Sequence, residues 1–455
     1  MAVPAATEKV LQQNNTHYAL VEAVNPHPDA LTLKSTVLQD GSGKVQIISA
    51  ANSLLDIDRL NTEVKRQLSA STKAEIKELC EKYELDECPS VPGVLPLYTI
   101  VDQSVLDAQE VQMATGHNEQ TIYVSVADFK NLCANVTYMT ATVDLDKLQS
   151  TTLDHAKDVD EITSAIANFT QLRIKQRLEE TLEFPPLPST AQRIIKLRVD
   201  PNADIQDLTD IVEADPSLAA QVVSWASSPY YAAPGKIKSV HDAIVRVLGF
   251  DLVLNLSLGL SLGKTLSMPK DSVSGFSPYW EQAVYTATAV EALVSAISPK
   301  ERPAMGVTYL SGLLHNFGHL ILAEVFPPQF SNICRLQEAN PYSNHNHIDR
   351  HVLGVTREQL GSWLMRLWSM PDEVCTAIRF QNEPNYVGED FVHANLLYVA
   401  SRLLRKHRIG DAPLEDIPAE VYQRINLDPV KAEETIEKLL ESTAELNMMV
   451  SNMGG

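Results

Sequence analysis

The spacing of apolar residues changes character near residue 140. Before it, apolar positions come in short, β-branched, partly alternating runs at 17–24, 31–38 and 44–49, the period of half-buried strands. The cluster Asp40-Gly41-Ser42-Gly43 between the last two predicts a hairpin. Residues 53–68 and 72–84 switch to helical spacing, the second with Ser71 or Thr72 as N-cap and Glu75 at capping-box distance. Strands are predicted again at 97–102, 109–113 and 120–125, and a closing helix from Asp128 to Cys133. Strands and helices in this order predict an α+β domain over residues 1–140.

Residues 141–183 are rich in charge, with apolar Ile162, Ile166, Phe169, Leu172 and Leu178 at helical spacing. That composition predicts an amphipathic connecting helix rather than a flexible tether. The helix must stop before Phe184-Pro185-Pro186-Leu187-Pro188, because prolines so close together forbid its continuation. From there to Ser401 nearly every segment is helical, giving an all-α domain over 184–401. Ser189 or Thr190, Asp204 and Asp215-Pro216 are candidate helix starts, followed by helices at 239–248, 250–266, 278–297, 306–324, 356–367 and 371–381. A C-terminal helical extension covers 402–455. It opens on basic Arg402, Arg405, Lys406, His407 and Arg408, read as the solvated end of a helix begun at Phe391. A final helix follows Asp428-Pro429.

Hydrophobic residues at 44% and charged residues at 21% are a globular composition, and 455 residues suit two or three domains. A formal net charge of −21 argues against broad attraction to nucleic-acid phosphates, though not against a local RNA pocket. Cys80, Cys88, Cys133, Cys334 and Cys375 are scattered and odd in number, which fits a reducing cytosol. No run approaches the roughly 20 apolar residues of a membrane span, and the nearest, 252–266, is broken by Asn255, Ser257 and Ser261. A cytoplasmic location without membrane contact is expected.

The predicted helix 306–324 buries Leu310, Leu313, Leu314, Phe317, Leu320 and Ile321 on one wide face, interrupted by His315, Asn316 and His319. Buried polar groups there require partners or a ligand, since leaving one unpaired costs about 1–3 kcal/mol. The run Gly312-Leu313-Leu314-His315-Asn316-Phe317-Gly318 resembles the Gly-Leu-Leu-His-Asp-Ile-Gly signature of the HD superfamily of metal-dependent phosphohydrolases. In that superfamily a His-Asp pair binds a divalent metal with His and Asp residues of neighbouring helices. Here Asn316 replaces the bridging aspartate, Arg357 stands where relatives often place histidine, and Gln381-Asn382 stands where they often show His-His. The resemblance therefore implies a vestigial site, His315 and Asn316, with no metal and no other cofactor. His241-Asp242 is better explained by helix capping after Ser239. His345, His347 and His351 are either a zinc cluster or a solvated polar loop.

Further landmarks are 184–188, Glu213-Ala214-Asp215-Pro216-Ser217-Leu218, Ala226-Ser227-Ser228, Ser239-Val240-His241-Asp242-Ala243-Ile244 and Trp363-Leu364-Met365-Arg366-Leu367-Trp368. In this order they resemble the HDOD domain, an HD-related helical module of bacterial signalling proteins. That implies a non-catalytic role and a signalling protein partner that the sequence does not name.

In the N-terminal domain, the runs Leu95–Leu106, Gly116-His117-Asn118 and Val124–Phe129 are similar to the YbaK-like aminoacyl-tRNA deacylases, which include prolyl-tRNA editing domains. The resemblance implies catalytic roles for Lys34, Gly116 and His117 and a substrate loop bearing Gly93 and Pro96, with aminoacyl-tRNA as the ligand. An inward ammonium and glycine-loop N–H groups suit an ester's developing oxyanion. Lys34 as a solvated strand lysine and His117 as a turn histidine are the plainer alternatives. The functions in play are thus a signalling or scaffold protein, an editing deacylase regulated by the HDOD domain, and a metal-dependent phosphohydrolase.

Overall fold

The computed structural model describes residues 3–22, 30–117, 120–148, 154–176, 186–233, 235–263, 278–341 and 343–451. Phe184, Pro185, Arg177, Leu178 and Asn118, and the side chains of Phe169 and Leu172, lie outside the described residues. The chain forms two compact units, Met1–Ser150 with Asn332–Ser343, and Thr151–Ser331 with Asn344–Gly455.

The first unit is α+β. Strands β1 (Ala19–Glu22), β2 (Leu31–Asp40), β3 (Gly43–Ala50), β4 (Ser53–Leu55), β5 (Ser69–Ala70), β6 (Tyr98–Asp102), β7 (Glu110–Ala114), β8 (Gln120–Ser125), β9 (Thr137–Met139) and β10 (Thr142–Asp144) alternate with α1 (Ala5–Gln13), α2 (Ile57–Val64), α3 (Lys73–Glu81) and α4 (Val126–Leu132). The main sheet runs β1-β8-β7-β2-β3-β6-β9, with β5 paired to β2. The predicted hairpin joins β2 to β3, Asp40 facing Gly43, while β7 and β6 add on either side as parallel neighbours. Thr72 caps α3 in the expected box with Glu75. The reading of 53–68 as one helix is corrected: its first residues pair as β4 with β10, and Asp56 caps the shorter α2.

One face of this sheet, through Leu33, Ile48, Val101, Val111 and Ile122, packs on Leu11 of α1, on Cys80, and on Leu85, Val91, Val94 and Leu95 of the segment after α3. Successive strand residues face opposite sides, so Lys34 lies on the other face from Leu33 and Ser35. Helix α1 was not expected from the sequence. It buries Leu11, and Thr7 donates to the Thr115 carbonyl at 2.6 Å.

The second unit, among its described residues, is helical throughout: α5 (His155–Gln176), α6 (Ser189–Arg198), α7 (Ile205–Glu213), α8 (Pro216–Ala226), α9 (Val240–Ala243), α10 (Phe250–Gly263), α11 (Tyr279–Ala296), α12 (Met305–Leu314), α13 (Phe317–Val325), α14 (Pro327–Ala339, partly in the first unit), α15 (His345–Leu353), α16 (Arg357–Leu367), α17 (Asp372–Phe380), α18 (Phe391–Lys406), α19 (Ala419–Arg424), α20 (Pro429–Glu441) and α21 (Thr443–Ser451). Asp204 and Asp215 cap α7 and α8 as expected. Helix α6 instead begins at Ser189 after Pro188, with no side-chain cap. The final helix is two, divided at Ser442. Ser239 caps α9 by accepting from the Asp242 N–H, and Asp242 accepts from the Lys238 N–H at 3.1 Å, so the His241-Asp242 pair does serve capping.

The central stretch is not one helix. It breaks between α12 and α13, where Asn316 leaves helical geometry at φ −104° and ψ 22°. His315 Nδ1 binds the Gly312 carbonyl at 2.7 Å, within one turn of the break. The glycines of the signature are contact points. A Cβ on Gly312 would stand 2.6 Å from Ala287 Cα, and one on Gly318 would stand 1.9 Å from the Arg357 carbonyl oxygen. Helix α12 therefore touches α11, and α13 touches the start of α16, backbone to backbone.

Candidate functional site

That close approach at Gly318 brings Arg357 into the polar notch. Thr356 caps α16 in a box with Gln359, which fixes Arg357 and Glu358 in the first turn. Asp349 and His345 lie four residues apart on α15 and so share a face. Arg357 donates from Nε and Nη2 to Asp349 at 2.8 and 3.0 Å, a two-pronged pair, and from Nη1 to Asp411 at 3.1 Å. His319 Nδ1 lies 3.4 Å from the same Nη1. Beside this, His345 Nε2 meets Glu358 Oε1 at 2.7 Å, and Asn382 donates to that oxygen at 2.9 Å. Asn316 Nδ2 donates to Gln282 at 3.2 Å and to Asp411 at 3.4 Å. Gln381 donates to the His315 carbonyl at 2.7 Å. His315, Asn316, His345, Glu358, Gln381 and Asp411 help line a cleft of about 10 Å³, room for roughly one water.

The charges of this network hold one another in place. Burial opposes charge on Asp411 and Glu358, but His345 and Arg357 outweigh it and hold both carboxyls down at about 2. Burial and Arg357 oppose a proton on His345, while Glu358 favours it and raises the imidazole overall. His319, buried and facing Arg357, is pushed down to about 3, and burial lowers His315. The arrangement is a closed ionic network in which Arg357 is paired with Asp349 and Asp411, and His345 with Glu358.

These residues do not fit the divalent metal that the HD resemblance evokes. A metal needs oxygen or imidazole lone pairs converging on one point. Asn316 aims its N–H groups at Asp411, His315 spends Nδ1 on Gly312, and a guanidinium stands between Asp349, Asp411 and His319. Among the described residues no group of three or more His, Cys, Asp or Glu is arranged to hold a metal ion.

Sequence reasoning named His315, Asn316, His319, Arg357, Gln381 and Asn382 here, placed His345 in a separate cluster, and missed Asp349, Glu358 and Asp411. His345 is not part of a solvated loop: it opens α15, is 6% exposed, and pairs with Glu358. Arg402 is not at a solvated helix end. It is 1% exposed, donates to Glu415 at 2.9 and 2.7 Å, and covers the Tyr398 ring at 3.7 Å. Asp158, read as one charge of an amphipathic connector, is buried against Arg379 and accepts from Gln359 at 2.6 Å.

In the first unit the candidate residues lie on β2 and in two loops. Lys34 is half-buried, and its ammonium donates to the Ser53 carbonyl and, at 3.4 Å, to the Ala51 carbonyl. Burial lowers it to about 8. On the opposite face of β2, Ser35 meets Cys88 at 3.3 Å. The Gly116 carbonyl accepts from the Asp86 N–H at 2.8 Å and the Glu87 N–H at 3.3 Å. Gly116 has φ +95°, and a Cβ there would stand 2.7 Å from Leu85. His117 Nδ1 lies 3.5 Å from Asp86 at an exposed edge. Gly93 has φ +82° and approaches Val10 of α1. Gly93, Pro96, Gly116 and His117 thus sit in loops, and none of them is a hydrogen-bond partner of the Lys34 ammonium.

Comparison with known proteins agrees with both units. Residues 184–384 match the HDOD domain and residues 13–132 match the aminoacyl-tRNA editing domain. A "Putative signal transduction protein" from Marinobacter aquaeolei VT8, of known crystal structure, is 41% identical over 100% of both chains, with a TM-score of 0.90. The chain belongs to the same family as that protein, and its two matched segments define an HDOD-domain protein with an N-terminal aminoacyl-tRNA editing domain. An HDOD domain protein of unknown function from Geobacter sulfurreducens is 19% identical over 65% of this chain and 99% of its own, with a TM-score of 0.51, and shares the fold. An uncharacterized protein of Treponema pallidum is 21% identical over 263 residues, and the chain spans 50% of the length of that curated relative. No helix among the described residues is long and apolar enough to cross a membrane.

Proposed function

We propose that the protein is a signal-transduction or scaffold component of the bacterial cytoplasm. Its helical domain acts by engaging a protein partner and not by hydrolysis, and its editing-type domain recognises an aminoacyl-tRNA-like ligand. The observation that supports this best is the Arg357 guanidinium held by Asp349 and Asp411. A permanent cation, already neutralised by two carboxylates, leaves no charge for a catalytic metal to satisfy. The same network speaks against the phosphohydrolase reading.

The second reading, an active deacylase, is favoured by Lys34: a lysine lowered to about 8 by burial is a neutral-range acid-base group rather than a solvated cation. Mischarged aminoacyl-tRNA assayed at low salt separates the two readings, because a net charge of −21 opposes general attraction to phosphates and binding through local phosphate contacts weakens as salt rises. Binding without amino-acid release supports the recognition role. Release that disappears in Lys34→Ala makes the deacylase primary, and absence of both binding and release removes aminoacyl-tRNA from the account.

A further inference from the structure

Residues 332–343 lie inside the HDOD-matched segment yet belong to the first compact unit. They carry most of α14 and the buried Asn340 that follows it. Asn340 ends this helix: its N–H and its Nδ2 each donate to the Leu336 carbonyl at 2.9 Å. The same side chain grips a strand. Oδ1 accepts from the Leu55 N–H at 2.8 Å, and Nδ2 donates to the Leu55 carbonyl at 3.0 Å. One amide thus offers an acceptor and a donor to a single residue, as a neighbouring strand would.

Leu55 ends β4, and the backbone groups of β4 alternate in direction. On the side of β10, the Asp56 N–H donates to the Ala141 carbonyl and the Asn52 carbonyl accepts from the Leu145 N–H. Ser53 and Leu55 turn to the other edge. There Leu55 meets Asn340, and the Ser53 carbonyl accepts from the Lys34 ammonium. Lys34 and β4 fall within residues 13–132, the segment matched to the editing domain, whereas β10 and Asn340 fall outside it.

We propose that Asn340 is a positioning residue for Lys34: by fixing Leu55 it holds the Ser53 carbonyl on the ammonium and sets where Lys34 meets the aminoacyl ester of a charged tRNA. The inference rests on reading the first unit as a domain that recognises aminoacyl-tRNA. An ammonium has three donors. The Ser53 and Ala51 carbonyls take two, which leaves one for an ester or phosphate oxygen. Trans peptide geometry fixes the chain length from Leu55 to Ser53, so a shift at the first is passed to the second. Without the Asn340 amide, the buried Leu55 N–H and carbonyl lose their partners and draw water to the β4 edge. The Ser53 carbonyl then leaves the ammonium, and water replaces it.

The test treats the full-length protein with limiting acetic anhydride at graded pH and follows acetylation of Lys34 by peptide mass mapping. Wild type should reach half its limiting reactivity near pH 8, the value to which burial lowers this amine. Asn340→Ala should move that midpoint up by about one unit, towards the range of a solvated lysine. Arg335→Ala removes an exposed contact of the same helix, to Asp58 at 2.9 Å, and should leave the midpoint in place. An unmoved midpoint in folded Asn340→Ala, an equal shift in Arg335→Ala, or a wild-type midpoint already in the solvated range would overturn the proposal. Should Asn340→Ala fail to fold, Asn340→Gln keeps a neutral amide on a longer stem; a smaller upward shift is expected, and none would be equally fatal. No tRNA enters this measurement, so failure of the wild type to bind aminoacyl-tRNA would remove the recognition role and leave the bearing of Asn340 on Lys34 as measured.

Discussion

Replacing Arg357 by methionine isolates the feature on which the reading of the helical domain rests. The substitution keeps an unbranched apolar stem but strands two carboxylates, Asp349 with 0% and Asp411 with 14% side-chain exposure. Breaking a buried ion pair by removing one partner costs about 3–5 kcal/mol. The lower end applies here, about 3 kcal/mol, because Asp349 keeps the Arg357 backbone N–H at 3.1 Å and Asp411 keeps Asn316. Adding Asp349→Asn should return part of that loss, since the uncompensated charge and not the missing contact is the main cost. The loss should also shrink from pH 8 to pH 5, because an abandoned buried carboxylate takes up a proton and becomes neutral. Urea unfolding followed by tryptophan fluorescence reads this domain selectively, as Trp225, Trp280, Trp363 and Trp368 all lie in it. A loss below about 1 kcal/mol with an unchanged denaturant slope would refute the reasoning, because that is the scale of a solvated surface pair.

Other outcomes follow from single residues. Glu291 is lifted to about 7 by burial, with the Tyr231 hydroxyl working the other way. A carboxyl raised on folding stabilises below its ordinary range and loses that contribution as pH rises through 7. Glu291→Gln should therefore raise the melting temperature at pH 8 and leave it nearly unchanged at pH 5; equal shifts at both would contradict this. Gly318→Ala forces a methyl against the Arg357 carbonyl, and overpacking of this kind costs about 1–3 kcal/mol or more. Thermal unfolding within error of wild type would show that the α13–α16 contact yields freely. Asn316→Asp alone should create no phosphodiesterase activity, because Arg357 and the bound His315 nitrogen remain; turnover of a cyclic dinucleotide by that variant would overturn the assignment of the site.

The strands at 98–102, 110–114 and 120–125 and the starts of α7, α8 and α16 were legible because their signals are local: alternation, a capping side chain, a proline at the first turn. The HD-like notch was legible for the same reason, since His315 and Asn316 interrupt an apolar run. What closes the notch was not. His345, Asp349, Glu358 and Asp411 come from α15, from α16 and from the segment after α18, and their pairing is a product of tertiary approach through Gly318. Arg402 was read as part of a solvated helix end because a buried arginine is rare, and Asp158 only as one charge of the connecting helix; the partners that allow their burial, Glu415 and Arg379, are set by tertiary contact. The break at 315–316 escaped notice because apolar spacing continues through it. The place of Lys34 in β2 was legible in the sequence, but the partners of its ammonium, the Ser53 and Ala51 carbonyls, come from β4 and the turn before it and appear only in the fold.

The central claim is that the HD-type site of the helical domain carries its own cation and holds no catalytic metal. The most direct measurement is the metal content of the full-length protein as isolated, by elemental analysis, beside that of His315→Ala. Substoichiometric Fe, Mn and Zn, the same in both proteins, is the predicted result. About one or two equivalents of any of them, lost on the His315 substitution, would contradict the account.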